Sequence, residues 1–282
     1  MEGYGFSDIK ELDSWKKAFL TEVVPNLHGL SLAFNKIKKI EYLENAKNLK
    51  RLWFSDNQIT KIEGLDELKK LEFLDLRSNQ IEKIEGLEEL TNLEELRLEG
   101  NMIKRIEGLD NLINLRTLSF GDPYHYTIGN DIEVIENLDT LTKLDSLELG
   151  LNKITEIFGL EKLIYLVYLG LSCNQILEIK GLNHNPMLTH IDLAYNRIKV
   201  VKGLKDVKYL SNLDLTGNPI ETIENFDEIK NISRLTINPQ YIPEEMKLQV
   251  KQQYSYWGKD QFVLRRDLDS HKGLTFNPEK SW

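Results

Sequence analysis

The chain has 282 residues, with 45 Asp and Glu against 36 Lys and Arg, a formal net charge of −9. That acidic balance argues against a nucleic-acid binder, which presents a basic surface to phosphates, and no apolar run is long enough to span a bilayer. The single cysteine, Cys173, cannot form an intrachain disulfide, which fits a reducing, cytoplasmic environment.

Residues 1–26 are expected to form an N-terminal helical cap. Ser7 or Asp8 can start a helix, and Ile9, Leu12, Trp15 and Phe19 then fall on one face. No basic stretch followed by an apolar core opens the chain, so no signal peptide is expected. Pro25 marks a break.

From Leu27 the chain repeats. Three ungapped blocks, LKRLWFSDNQITKIEGLDELKK (49–70), LEFLDLRSNQIEKIEGLEELTN (71–92) and LEELRLEGNMIKRIEGLDNLIN (93–114), share L-x-x-L-x-L/F-x-x-N-x-I-x-x-I-x-G-L-x-x-L-x-x. Repeats begin at Leu27, Leu49, Leu71, Leu93, Leu115, Leu144, Leu166, Leu188, Leu210 and Ile232, so 27–238 holds ten; each step is 22 residues except Leu115 to Leu144, which is 29. The L-x-x-L-x-L stretch alternates like a half-buried strand. One coil cannot bury its leucines alone, so coils must stack. Asn57, Asn79 and Asn101 sit where the chain leaves the strand and bends inward, a corner that an amide, with both donors and an acceptor, can serve where leucine cannot. Ile59, Ile62, Leu65 and Leu68, spaced by three, suit a short 3₁₀-like convex side. The segments NQITKIEGL, NQIEKIEGL, NMIKRIEGL and DIEVIENL resemble the 22-residue class of leucine-rich repeats. The resemblance implies an α/β solenoid: a curved parallel β-sheet on the concave side, short 3₁₀ or irregular convex segments, and helical caps. It also implies an asparagine ladder, each side-chain amide bonding backbone groups of its own coil and the next.

The extra seven residues, PYHYTIG (123–129), leave at a strand exit, where Tyr124, His125 and Tyr126 could meet a ligand. Residues 239–282 are expected to form a C-terminal cap and tail. PEEMKLQVKQQYSYWG reads as a helix, with Pro243 near its first position and Gly258 near its end, and Phe262, Val263 and Leu264 continue the cap.

The polar positions flanking the strand leucines point out of the concave sheet, and equal positions align in columns. Trp53 and Phe73 are large aromatics on adjacent strands with no core to enter, which makes them candidate interface anchors. Tyr168 and His190 repeat that arrangement, with Tyr195 just beyond the strand. Arg51, Asp75, Arg77, Glu95, Arg97 and Glu99 interleave in sign, as a cross-strand ion-pair lattice would. Glu148, Asp192 and Asp214 lack a basic neighbour in their columns until Arg234, so a basic partner would relieve them.

Catalysis is not expected. Cys173 and His190 stand roughly 16 Å apart along the coil, too far for a nucleophile and its base. Asp192 and Asp214 gather too few oxygens for a cation. No cofactor or metal is implied, and the expected partner is a protein, met by a monomer without membrane or nucleic acid. Over roughly Leu27 to Ile237 the chain is similar to the leucine-rich-repeat regulatory subunit of type-1 protein phosphatase. That family holds the catalytic subunit with aromatic and acidic concave residues, which Trp53, Phe73, Asp75, Glu148, Tyr168 and Asp192 match in type and placement. Internalin-type bacterial repeats share the period and would imply an exported adhesion protein, although they favour aspartate and small or proline residues where this chain has K-I-E-G.

Overall fold

The computed structural model describes residues 26–121, 129–229, 232–238, 242–245, 247–248 and 262–265. Each coil contributes one short strand beginning at its third position: β1 Gly29–Ser31, β2 Arg51–Trp53, β3 Phe73–Asp75, β4 Glu95–Arg97, β5 Thr117–Ser119, β6 Ser146–Glu148, β7 Tyr168–Gly170 and β8 His190–Asp192. They pair in parallel and continue through β10 Asn212–Asp214 into β12 Arg234–Ile237. Register follows the repeat, so Leu52, Leu74, Leu96 and Leu118 lie side by side. A second, two-stranded sheet, β9 Val200–Val201 with β11 Thr222–Ile223, forms on the convex side of the later coils.

The repeated leucines and isoleucines fill a single continuous core. Phe54 and Phe120 take the leucine place in their coils and are its largest fully buried side chains. Burying each such side chain contributes about 1.5–3 kcal/mol, and stacking makes the sum cooperative between neighbours. The convex side is built from paired i→i+3 turns, such as Leu68 N–H to Leu65 C=O and Leu71 N–H to Leu68 C=O. Among the described residues a 3₁₀-helix appears at Phe226–Glu228.

Among the described residues, two left-handed corners recur from coil to coil. At the eighth position Phe34, Asp56, Ser78, Leu151, Cys173 and Tyr195 adopt φ between 51° and 57°. At the sixteenth, glycine dominates for a steric reason. Gly86 has φ +67°, and a Cβ there would lie 2.5 Å from the Ile62 carbonyl oxygen of the preceding coil. Gly86→Ala is expected to cost about 1–3 kcal/mol, from the left-handed backbone and the close approach together, read as a fall in the denaturation midpoint.

The asparagine corner forms as expected, with one change of direction: each amide reaches to the preceding coil, not the next. Asn79 donates to the carbonyls of Phe54, Leu76 and Arg77 and accepts from Ile59 N–H. The ladder crosses the insertion unbroken, since Asn130 accepts from Ile103 N–H and donates to Leu98 and Phe120. Of the insertion, residues 123–128 lie outside the described residues, and so do Tyr124, His125 and Tyr126.

The described residues do not show the helical caps. The N-terminal cap lies outside the described residues but for its last one. Of the C-terminal helix, residues 244–245 and 247–248 are helical, and Lys247 N–H bonds Pro243 C=O. The sheet ends instead in a strand. β13, Phe262–Arg265, pairs antiparallel with β12, Ile237 opposite Phe262. The segment expected to extend a helical cap thus satisfies the backbone edge of the last coil directly.

Candidate interaction surface on the concave sheet

The strand residues at positions three and five face away from the core, and the structure gathers the predicted site residues into two groups. The first lies on β2 to β4. The rings of Trp53 and Phe73 are 5.2 Å apart and tilted by 44°, a spacing at which aromatic pairs attract. The Arg97 guanidinium sits 5.6 Å from the Phe73 ring centre, a cation–π contact. Both rings are only partly buried. Gly29, the neighbour of Arg51 on β1, puts no side chain over the Trp53 ring edge.

The charges around this pair differ from the expected lattice. The ion pairs seen here join residues two apart in one coil, Asp75 with Arg77 and Glu95 with Arg97. Arg77 grips Asp75 through two bonds, Nε to Oδ1 at 2.8 Å and a second nitrogen to Oδ2 at 2.6 Å. Arg97 bonds Glu95 at 2.6 Å. Asp75 is fully buried, so this predicted contact residue is withdrawn from the open face. Glu99, also covered, has one oxygen with no hydrogen-bond partner. Burial pushes its carboxyl up to about 7, against the pull of Ser119, Arg77 and Arg97.

The second group lies on β6 to β10. The Tyr168 hydroxyl donates to Glu148 at 2.7 Å. Tyr168, His190, Asp192, Asn212, Asp214 and Arg234 line a depression of about 300 Å³. Asp192 and Asp214 are register partners on adjacent strands. Burial first, and Asp192 beside it, hold the Asp214 carboxyl above the usual carboxylate range, although Thr216 and Arg234 oppose this. Tyr195 stands apart on the left-handed corner, exposed, with its ring packed over Gly217.

One shared role was not foreseen. The position-five carboxylates each accept the backbone N–H two residues on: Asp75 from Arg77, Glu148 from Gly150, Asp192 from Ala194 and Asp214 from Thr216. For the three aspartates this is the Asx-type turn that short acidic side chains favour, and an acidic residue directly after the central apolar residue of the strand signals it. Such carboxylates hold the strand exit and keep one oxygen for other contacts. Cys173, at position eight, has its thiol raised by burial and by Asp192 and Glu148, the reverse of an activated nucleophile. Among the described residues no group of His, Cys, Asp and Glu is arranged to hold a metal ion, and no helix is long and apolar enough to cross a membrane.

Comparison with known proteins agrees with this architecture. A two-copy leucine-rich-repeat pattern matches residues 25–67 and 47–89, and a single leucine-rich repeat matches 184–200. No curated protein matches the sequence. An internalin (inlF) from Listeria monocytogenes is 26% identical with a TM-score of 0.59, over 77% of this chain and 68% of its own. A leucine-rich-repeat protein of Leptospira interrogans is 22% identical with a TM-score of 0.62, over 82% and 72%. The TLR13 chain of a TLR13–ssRNA13 complex is 21% identical with a TM-score of 0.65, over 78% of this chain and 38% of its own. The last two speak to fold alone. The chain therefore carries leucine-rich repeats, and its described coils stack into the parallel solenoid that such repeats build.

Proposed function

We propose that the protein is a non-catalytic scaffold that binds a partner protein on its concave face. The observation that carries this reading is the pair of side-chain groups on one sheet: the Trp53–Phe73–Arg97 stack and the acidic, tyrosine-lined depression. Neither contributes to the core, and both have the aromatic and charged make-up of interface anchors. The acidic half steers a basic surface, so association weakens with salt. The proposal places the protein in the cytoplasm as a monomer, acting on protein and not on nucleic acid.

Affinity capture from native lysate with the wild-type chain and a Trp53→Ala/Tyr168→Ala variant tests it. A discrete partner retained by the first and lost by the second is the expected outcome; equal retention would remove the concave face from consideration. A type-1 phosphatase regulator is the narrower form of the same proposal, supported by the matching residue types at Trp53, Phe73, Glu148 and Tyr168. Failure of the purified phosphatase catalytic subunit to bind at micromolar concentration would eliminate it and leave the scaffold. An exported adhesion protein is the other alternative, and the similarity to an internalin supports it.

A further inference from the structure

The last residue of each coil lies on the rim where the chain returns from the convex side to enter the next strand. In the first five coils this column is polar: Asn48, Lys70, Asn92, Asn114 and Lys143. It is tied together by hydrogen bonds, Lys70 to Asn48 at 2.8 Å and Lys143 to Asn114 at 2.6 Å. In the next three coils the same column becomes Tyr165, Met187 and Tyr209, which are 57%, 45% and 63% exposed. Ile164 and Val167 extend it, 47% and 40% exposed.

The strands that follow are in register, Tyr168 beside His190 beside Asn212. The three side chains therefore stand one strand spacing apart, about 4.8 Å, as a continuous ridge. Scattered exposed apolar residues need no explanation, but a contiguous row marks a docking surface. The coil consensus does not require it, because five earlier coils fold with Asn or Lys there. The ridge also adjoins the acidic depression: Val167 is chain neighbour to Tyr168, which lines it together with Asp192 and Asp214. Glu148 accepts the Tyr168 hydroxyl at the same place.

We propose that this rim and the adjoining depression together receive one amphipathic segment of a partner protein, whose apolar side chains lie along Tyr165, Met187 and Tyr209 and whose Lys or Arg enters beside Asp214. The inference rests on the scaffold reading and adds the chemistry of the occupant. Charge complementarity chooses that occupant. The depression carries two carboxylates, Asp192 and Asp214, against the one guanidinium of Arg234, so it repels an acidic segment and favours a basic one, and a purely polar segment would leave the ridge wet.

A displayed library of short random peptides, selected on the full chain, tests it. The expected enrichment combines aliphatic or aromatic residues with a nearby Lys or Arg. Synthetic peptides of that consensus, followed by fluorescence anisotropy, should bind Tyr165→Ser/Met187→Ser/Tyr209→Ser at least about tenfold more weakly than wild type, and Asp214→Asn likewise. All three rim sites are exposed, and circular dichroism confirms that the variants fold. No enrichment, or a consensus lacking either feature, overturns the proposal. So does unchanged binding to the rim variant; if Trp53→Ala then abolishes it, the concave scaffold survives without the rim. Dimerisation in sedimentation that the rim variant loses would assign the ridge to a second copy of this chain and also overturn it.

Discussion

Replacing Asn101 by Leu is expected to destabilise the protein by about 3–5 kcal/mol, although it swaps a polar residue for an apolar one inside a leucine-filled stack. The amide nitrogen of Asn101 donates to the Leu76 carbonyl at 3.0 Å and the Leu98 carbonyl at 2.9 Å, and its oxygen accepts Ile81 N–H at 3.1 Å. All of this is buried. Leucine satisfies none of these groups, and each buried backbone group left without a partner costs about 1–3 kcal/mol. Adjacent coils then lose the bond that fixes their relative placement. Asn92 is the control. It donates to Lys69 C=O from an exposed position, where water replaces it, so Asn92→Leu should change stability by less than about 1 kcal/mol. Chemical denaturation of the two variants beside wild type makes the comparison. Equal costs would refute the ladder as the seam between coils.

Glu99 sets the second large effect, and it depends on pH. Its carboxyl goes from 4.5 to about 7 on folding, chiefly through burial. Below 4.5 it is protonated whether the chain is folded or unfolded, and the full stability is present. As pH rises through 7 the unfolded chain has already lost this proton, and the folded chain must place a charge on a buried oxygen without a partner. The shift corresponds to a loss of about 3 kcal/mol, complete above pH 7. Glu99→Gln should remove that slope and be the more stable protein at pH 8. The measurement is the difference between variant and wild-type denaturation midpoints from pH 4.5 to 8, which cancels the acid sensitivity of the other carboxylates. A difference that does not change with pH would show that Glu99 is ionised without cost.

The coil was readable because its requirements are local and periodic. The leucine spacing placed every concave strand from β1 to β12, since a half-buried strand and a stackable turn each demand apolar residues at fixed intervals. The asparagine corner was readable because few side chains donate and accept at once. Its direction was not, because the sequence is identical whichever neighbour the amide reaches. The concave charges misled for a related reason. Asp75 has a basic neighbour along the chain, Arg77, and another across the sheet, Arg97, and periodicity alone gives no preference for one pairing. The structure shows that the carboxylate first serves the N–H two residues on, which draws Asp75 inward and takes Arg77 with it. The rim ridge escaped notice because attention to the strand-flanking positions ignores the column at the coil end. Aligning the final residues of the coils, Asn48 to Tyr209, would have exposed the change from polar to apolar. β13 carries no repeat pattern, and its place beside β12 follows from the unsatisfied edge and not from its own composition.

One coil adds one strand, in register, with the same hydrogen bonds to each neighbour. The Trp53 ring on β2 and the Tyr168 hydroxyl on β7 are therefore separated by a whole number of strands. Duplicating or excising a block such as 71–92 would lengthen or shorten that gap by about 4.8 Å without redesigning either end. The molecule behaves as a ruler marked in coils, and a partner that spans both marks can be matched by counting.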